Sequence, residues 1–376
     1  MPDLISDISL LLDRRAPALL REHSIPGMQV AVGIRTRIEI ERAYVYSETV
    51  SGREMRPDTI FKAASLAKPI TTLLALRLVQ AGLLELDAPY TRFARSWRLP
   101  EPRRAGFDDE RVTIRRLLSH NSGLSTPKFP QLPITTPAPS AAAILDGALG
   151  PAFTPRLIHE PGTHQEYSAA GYELLRVLIE DVTGQPISAA AHKWVFEPLD
   201  LSSTRLGYQS GAPDTATHYD NDGAPIPETF YPAVGSSGLY TTAGDLARLW
   251  LAAAGSPPSF LPPDLRHEML SPQSRANDGF AFGFGFSLAE CDGRTLFKHA
   301  GWTQGLWAIG EGGLSPDGPH AVALFCNIEK AKEPTLPLIR RITRRLISAS
   351  EPMQEGSRRL KVSPRILDLQ PPRSTP

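Results

Sequence analysis

Residues 60–71 of this chain read IFKAASLAKPIT and place a serine, Ser65, three positions before a lysine, Lys68. In a helix, side chains at positions i and i+3 lie on one face, so the hydroxyl and the amine would be neighbours. A serine hydroxyl is a weak nucleophile until a base takes its proton. Lysine can be that base when burial lowers its pKa, and the apolar residues around Ser65 supply such burial. The segment predicts Ser65 as nucleophile and Lys68 as base.

The spacing of these two residues is weak evidence by itself. Serine begins many helices, and an exposed lysine three positions later needs no function. A serine at a helix start does, however, bring backbone N–H groups close to its hydroxyl, as an oxyanion hole requires. The rest of the chain has to decide between a capping serine and a nucleophile.

Regular elements are predicted on both sides of this segment. A helix is expected from about Leu4 to Glu22, followed by an antiparallel pair of strands within Met28–Tyr46. Ile70–Ala81 is apolar on most sides and is predicted to be a buried helix that Gly82 ends. Ser168–Val182 has helical periodicity as well. Helix N-caps are predicted at Thr113, Ser140 and Thr242.

The remaining segments are loops, late strands and one more helix. Two proline-rich stretches, Pro127–Pro139 and Pro225–Pro232, are predicted to be stiff loops, and loops of this length are usually functional lids or disordered. Three strands and a helix are predicted at Thr295–His299, Leu306–Gly310, His320–Cys326 and Leu336–Ser348. The polar tail, Glu351–Pro376, is predicted to be disordered.

This order of elements predicts an α+β fold, an α/β sandwich in which an antiparallel sheet is flanked by helices and joined by a mostly helical subdomain. Strands at both ends of the chain can form one sheet only if they meet in space. We therefore expect residues 1–350 to be a single catalytic unit. Within it, residues 1–70 and 230–350 would form the sheet-containing part and residues 71–229 the helical subdomain.

Composition narrows the functional classes. The chain has 376 residues, with 40 Lys and Arg against 40 Asp and Glu, so its neutral balance gives no pull towards nucleic acid or an anionic membrane. Two cysteines, Cys291 and Cys326, form no disulfide framework, and Cys326 in its apolar run is expected to be a core residue. The first residues alternate charges with leucines and lack a secretory signal pattern, which predicts a cytoplasmic protein. The histidines show no metal-site spacing, and neither metal nor cofactor is expected.

Five ordered motifs carry a resemblance to a known family. They read FKAASLAKPIT (61–71), VTIRRLLSHNSGL (112–124), EYSAAGY (166–172), GSSGLYTTAGDL with GFGF (235–246 and 283–286), and HAG (299–301). In order and spacing this set resembles the serine β-lactamase-like, penicillin-binding-protein-like family, including class C β-lactamases, family VIII esterases and related transesterases. The resemblance runs from about Ile25 to Asn327 and implies the β-lactamase/transpeptidase-like fold.

The resemblance also implies roles for particular residues. Ser65 would attack a carbonyl carbon and carry the acyl group, and Lys68 would accept or relay its proton. Tyr167, as a phenol or phenolate, would pass the proton to the leaving group. His299 would lie on an edge strand that faces the site. The oxyanion hole would consist of the Ser65 and Trp302 backbone N–H groups, and Gly301 would lie beside it in a supporting role. His120, Asn121 and Asp245 lie in family-like segments and are interpreted as structural.

Two departures from the family pattern bear on the substrate. The tyrosine motif of the family is commonly Tyr-x-Asn, but here the third residue is Ala169, which can neither hold Lys68 nor bind a substrate amide. This argues against efficient β-lactam or peptide hydrolysis and for an ester or another acyl donor. His299 stands where the family often has lysine, and a neutral imidazole holds a carboxylate less firmly than an ammonium.

Three functions follow as hypotheses. The first is hydrolysis of a small carboxylic ester, the second is acyl transfer in a biosynthetic pathway to an alcohol or amine, and the third is a non-catalytic binding protein with the same fold. β-Lactamase or D-peptidase activity is less favoured. The expected partners are a small-molecule acyl donor and an acceptor, with no nucleic acid and no membrane. The sequence leaves the donor, the acceptor and the oligomeric state open.

Overall fold

The computed structural model describes residues 2–101, 106–209, 214–276, 279–291, 294–315 and 318–348. The predicted disordered tail, Glu351–Pro376, lies outside these residues. Within the described part, an antiparallel sheet of nine strands forms from both ends of the chain and has helices on both faces. The predicted α+β class with its flanked antiparallel sheet is confirmed. The division into two subdomains stays a prediction.

The strands of the structure fall into three sheets. In chain order they are β1 Gly27–Ile34, β2 Arg37–Glu48, β3 Arg53–Glu54, β4 Phe61–Lys62, β5 Leu132–Pro133, β6 Arg205–Leu206, β7 Thr229–Phe230, β8 Leu239–Thr241, β9 Ser274–Arg275, β10 Ala281–Phe282, β11 Ser287–Cys291, β12 Arg294–Thr303, β13 Leu306–Ser315 and β14 Gly318–Cys326. The large sheet has the order β3-β2-β1-β14-β13-β12-β11-β10-β9, so the N-terminal pair joins the C-terminal strands through β1 and β14. Two small sheets, β4-β8-β6 and β5-β7, lie beside it.

Ten α-helices are found in the described residues. They are α1 Pro2–Glu22, α2 Ala67–Gln80, α3 Ile114–Leu118, α4 Ala141–Leu145, α5 Ala169–Thr183, α6 Ile187–Ala191, α7 Val234–Ser237, α8 Ala243–Ala253, α9 Pro263–Met269 and α10 Lys332–Ser348. The three predicted N-caps, Thr113, Ser140 and Thr242, are confirmed: each side-chain oxygen accepts a hydrogen bond from the backbone N–H three residues on. Ser168 caps α5 in the same way, which was not predicted. These bonds satisfy N–H groups that a helix start leaves free.

Side chains alternate between the two faces of the large sheet, so the apolar core has two parts, one on each face. On β14, Ala321, Ala323 and Phe325 face the core of α2, α5 and α8, whereas Val322 and Leu324 face α1 and α10. This follows from the period of two in a strand. Cys326 is fully buried, as expected for a core residue, and burial raises the pKa of its thiol.

The structure differs from the sequence-based prediction in the late strands. All three are longer than predicted, and β9, β10 and β11 were not foreseen. The strand of His299 was expected at the sheet edge, but β12 has β13 on one side and β11 on the other, so this expectation was wrong. The β11 ladder nevertheless ends at the pair Ser287–Lys298. The part of β12 from His299 onward therefore has no β11 neighbour, which gives the site a local open edge.

Candidate active site

Ser65 sits in a tight turn between β4 and α2. Ala64–Leu66 form one turn of 3₁₀-helix, which runs directly into α2. Ala64 has φ +48°, a left-handed conformation that non-glycine residues rarely adopt and that clusters at functional sites. The turn leaves Ser65 half-buried although Ala64 and Leu66 beside it are buried. Ser65 is therefore only partly covered by the apolar residues on either side of it.

Lys68 lies one helical turn after Ser65, with Nζ 3.5 Å from Ser65 Oγ. Its side chain is only 1% exposed. Nζ donates to the Ser236 carbonyl oxygen at 3.0 Å and lies 4.6 Å from the centroid of the Tyr167 ring. Burial lowers the pKa of Lys68 from 10.5 to about 7, against the opposing charge of the Glu173 carboxylate. A large share of Lys68 is therefore free base near neutral pH, as a general base requires.

Tyr167 and His299 form a second pair of side chains at the site. The Tyr167 Oη and His299 Nε2 atoms are 3.3 Å apart. His299 Nδ1 lies 2.9 Å from the Ala300 carbonyl oxygen, which can only accept, so Nδ1 carries the hydrogen. Burial, followed by the Lys68 charge, lowers the pKa of His299 to about 3 and keeps the ring neutral. Nε2 is then an acceptor, and the Tyr167 hydroxyl donates to it.

The hydrogen bond from Tyr167 to His299 also indicates which protonation form of Tyr167 is present. Burial raises the pKa of its phenol, and the hydrogen bond with Ser65 offsets the rise only in part. Of the two forms considered from the sequence, the structure favours the phenol over the phenolate. With its hydrogen directed to His299, the Tyr167 oxygen is free to accept from Ser65. The four predicted catalytic side chains are thus brought together at one place.

His120 forms the wall behind Tyr167. Its ring centroid is 4.4 Å from that of Tyr167 and 5.1 Å from that of Tyr172. Nδ1 accepts the Ser168 backbone N–H at 3.1 Å. Burial, followed by the nearby Lys68 charge, holds the pKa of His120 well below its ordinary value, so the ring is neutral. His120 therefore orients Tyr167 through ring packing and through the next peptide.

Asn121 and Asp245, interpreted as structural from the sequence, make structural contacts. Asn121 Oδ1 accepts the Ser119 hydroxyl at 3.0 Å. Asp245 Oδ2 accepts the Ser203 N–H and the Thr204 hydroxyl at 2.9 and 2.8 Å. Both therefore hold loops in place.

The strand β12 supplies the candidate oxyanion hole. A Cβ on Gly301 would lie 2.3 Å from the Ala63 carbonyl oxygen, so only glycine permits this strand to approach the Ser65 turn. Thr303 and Leu306 pair across a two-residue connection, which makes them a hydrogen-bonded pair and leaves the Trp302 N–H directed away from β13. That direction is the open edge beyond the β11 ladder. The backbone of Trp302 thus fits its predicted role.

The side chain of Trp302 does not line the site. Trp302 lies opposite Trp307, and directly opposed residues share a face of the sheet. That face carries α10: Trp302 Nε1 donates to Glu329 Oε1 at 2.7 Å, and Lys332 Nζ lies 5.8 Å from the indole centroid. Strand alternation thus directs the indole to the face opposite the site, so only the backbone N–H of Trp302 is available for the predicted oxyanion hole.

Ala169 opens α5 two residues after Tyr167 and is half-buried. It packs on a small apolar cluster that is separate from the main core and consists of Phe129, Ile144, Ala170 and Ala233. The position where the family pattern has an amide therefore presents a methyl group backed by apolar side chains.

Sequence reasoning missed two features of the site. Glu173 on α5 is fully buried, accepts the Ser236 N–H at 2.9 Å and forms an ion pair with Arg176. Glu173 therefore fixes the short helix α7, whose Ser236 carbonyl oxygen accepts from Lys68. The available signal was a glutamate on the apolar face of a predicted helix, which is costly unless the charge is paired. The second missed feature is a cluster around Lys62, a buried lysine three residues before Ser65.

In the part of the chain that the structure describes, no group of three or more histidine, cysteine, aspartate or glutamate side chains is placed to hold a metal ion. No helix within the described ranges combines the length and the apolar character needed to cross a membrane.

A serine with a lysine three positions on, at the start of a helix against an antiparallel sheet, marks the class of penicillin-recognising serine enzymes. The Beta-lactamase family model matches residues 12–344, so the chain belongs to the β-lactamase family. It is similar to esterase EstB of Burkholderia gladioli, with 31% identity over 337 residues, 80% of this chain and 85% of EstB. These relationships make the protein a serine hydrolase of the β-lactamase type.

Two further similarities agree with this family. The D-alanyl-D-alanine-carboxypeptidase/endopeptidase AmpH of Escherichia coli K12 is 26% identical over 263 residues, which are 66% of this chain and 62% of AmpH. Among solved structures, EstCE1, described as a hydrolase with promiscuous acyltransferase activity, has a TM-score of 0.73 at 20% identity and covers 91% of this chain and 99% of that chain. At 20% identity, the similarity to EstCE1 shows a shared fold and no more.

Proposed function

We propose that the chain is an esterase that forms an acyl-enzyme on Ser65 with a small carboxylic ester. The observation that carries this proposal is the Ser65–Lys68 pair, in which a lysine with a pKa of about 7 lies 3.5 Å from the serine hydroxyl. A base of this pKa is matched to proton transfer near neutral pH. The similarity to EstB over most of both chains supports an ester as the acyl donor.

The proposed reaction has two steps. Lys68 takes the proton of Ser65 while Oγ attacks the ester carbonyl carbon, and the oxyanion forms against the Ser65 and Trp302 N–H groups. The C–O bond to the leaving alcohol breaks, and the alcohol takes a proton through Tyr167 and Lys68. Water then attacks the acyl-enzyme, loses its proton to the same groups, and releases the acid and Ser65. His299 orients the phenol and stays neutral.

An ester fits the site better than a β-lactam or a peptide. Ala169 provides no hydrogen bond to a substrate amide, and the neutral His299 offers no charge to a substrate carboxylate. An ester lacks the amide N–H, so it leaves no polar group unpaired against the Ala169 methyl. The apolar cluster behind Ala169 favours an acyl donor with an apolar acyl group.

Acyl transfer to an alcohol or amine is the second candidate. The first proline-rich stretch, Pro127–Pro139, is called the proline-rich loop below. Its Gln131 contacts Thr303 of β12, and this contact favours transfer because a packed loop beside the site excludes water. EstCE1, which shares the fold, is described as having promiscuous acyltransferase activity.

The test is turnover of p-nitrophenyl acetate by the wild type and the Ser65→Ala variant, each with and without added 1-butanol. Esterase function predicts release of p-nitrophenol that Ser65→Ala abolishes while the circular dichroism spectrum is unchanged. Butyl acetate formed at the expense of acetic acid would favour the transferase. Full activity of Ser65→Ala would exclude both proposals.

A further inference from the structure

The cluster around Lys62 lies next to the site but has no part in the mechanism above. Lys62 ends β4, three residues before Ser65, and is 9% exposed. Its Nζ donates to Gln131 Oε1 at 2.5 Å and to the Oγ1 and carbonyl oxygens of Thr229 at 2.9 and 3.1 Å. All three acceptors are uncharged. Burial lowers the pKa of Lys62 to about 8, and the Glu228 charge opposes this.

Gln131 connects this lysine to the strand of His299. Its Nε2 donates to Thr303 Oγ1 at 3.0 Å, while its Oε1 accepts from both Lys62 and the Thr229 hydroxyl. Thr303 lies two residues after Gly301 and therefore on the same face of β12 as Gly301. One carboxamide in the proline-rich loop thus bridges the strand that leads to Ser65 and the strand that carries His299.

Loss of the Gln131 carboxamide is expected to destabilise this region because Lys62 carries a buried charge. A buried ammonium needs acceptors for its hydrogens, and one without them is strongly destabilising. Removing the Gln131 carboxamide leaves Lys62 with the acceptors of Thr229 alone. Water is then the available replacement, because a polar site with room for it admits water. That water would enter between β4 and the proline-rich loop, beside the Ser65 turn.

We propose that Gln131, held between Lys62 and Thr303, is a positioning residue that closes the proline-rich loop over the site and sets how the acyl-enzyme divides between water and a larger acceptor. The inference rests on the proposed acyl-enzyme function. In both outcomes the bond between the acyl carbon and Ser65 Oγ breaks. Water yields the acid, an alcohol yields an ester, and in each case the nucleophile gives up one proton as Ser65 regains one.

The ratio of acetic acid to butyl acetate formed from the acyl-enzyme tests the proposed role of Gln131 directly. Wild type and Gln131→Ala are given p-nitrophenyl acetate with 1-butanol, and acetic acid and butyl acetate are quantified by gas chromatography. The ratio of the two products is independent of how fast the acyl-enzyme forms. Gln131→Ala is expected to raise the acid-to-ester ratio by about fivefold, the effect of one lost hydrogen bond. An exposed glutamine at the end of α5 gives the matched control, Gln185→Ala, which should leave the ratio unchanged.

A second variant pair tests the physical cause. Lys62→Met removes the charge that needs the acceptors, so Gln131→Ala should change the ratio less in the Lys62→Met background than in the wild type. Additive effects of the two substitutions would overturn the proposed cause. Thermal unfolding of each variant shows whether the fold is retained.

Hydrogen exchange separates a failure of this inference from a failure of the proposed function. Amide exchange of peptides that cover Pro127–Pro139 needs no substrate, and Gln131→Ala should exchange faster there than wild type and Gln185→Ala. Unchanged exchange overturns the inference whether or not the enzyme turns over esters. Faster exchange with an unchanged product ratio refutes the control of partition.

Discussion

Lys68 is expected to set the rising limb of the pH profile for acylation. The reaction needs the free amine, and the structure gives a pKa of about 7 because the side chain is buried. Log kcat/KM for p-nitrophenyl acetate should therefore rise with unit slope below pH 7 and become level above it.

The size of the rise in kcat/KM between pH 6 and pH 8 distinguishes a lysine with a lowered pKa from an ordinary lysine. With a pKa of about 7, the free-base fraction grows about tenfold between pH 6 and pH 8. A lysine at 10.5 would give about a hundredfold rise over that interval and would continue to rise beyond pH 9. The same burial has a cost in stability. The unfolded chain binds more protons than the folded chain between pH 7 and 10.5, so ionisable Lys68 opposes folding by about 4 kcal/mol at pH 7.

The assay is stopped-flow release of p-nitrophenol from pH 5.5 to 9.5, with Lys68→Arg and Lys68→Met as comparisons. The arginine side chain in Lys68→Arg stays protonated, so this variant should lack both the esterase activity and the rise of kcat/KM with pH. Lys68→Met should be inactive but more stable at pH 7, by up to the cost given above, with the difference declining as pH rises towards 10.5. A wild-type rate that climbs steadily through pH 9.5, or a Lys68→Arg variant with the same limb, would refute the assignment of Lys68 as base.

Three further outcomes are expected. Tyr167→Phe keeps the ring but loses the hydroxyl bonded to His299, so kcat should fall by about a hundredfold or more while the melting temperature changes little. Ala169→Asn restores an amide to the site and should raise turnover of a chromogenic cephalosporin relative to that of the ester by about tenfold; a ratio unchanged in a folded variant would contradict the role given to this position. His120→Phe keeps a packing ring but loses the acceptor for the next peptide, and it should lower kcat by about tenfold with little effect on KM. An equal loss in KM would indicate a binding role.

Local patterns in the sequence predicted much of the site. The Ser65–Lys68 spacing, the helix caps and the glycine stop at Gly82 each depend on neighbours within one helical turn, so the sequence alone contains the information. The close approach at Gly301 was not predicted, because it depends on how near β12 lies to the Ser65 turn.

Other parts required the fold. Lys62 and Gln131 are 69 positions apart, and no periodicity links them. The face on which the Trp302 indole lies depends on strand register, and a shift of one residue would have reversed it. The pKa of Lys68 depends on burial and on the Glu173 charge, both of which arise from helices distant in sequence.

The most direct test of the central claim is mass spectrometry of the protein after brief exposure to p-nitrophenyl acetate and acid quenching, followed by peptide mapping. One added acetyl group is expected on the wild type, located on Ser65, and none on Ser65→Ala. An adduct on another residue, or an equal adduct on Ser65→Ala, would contradict the assignment of Ser65 as the nucleophile.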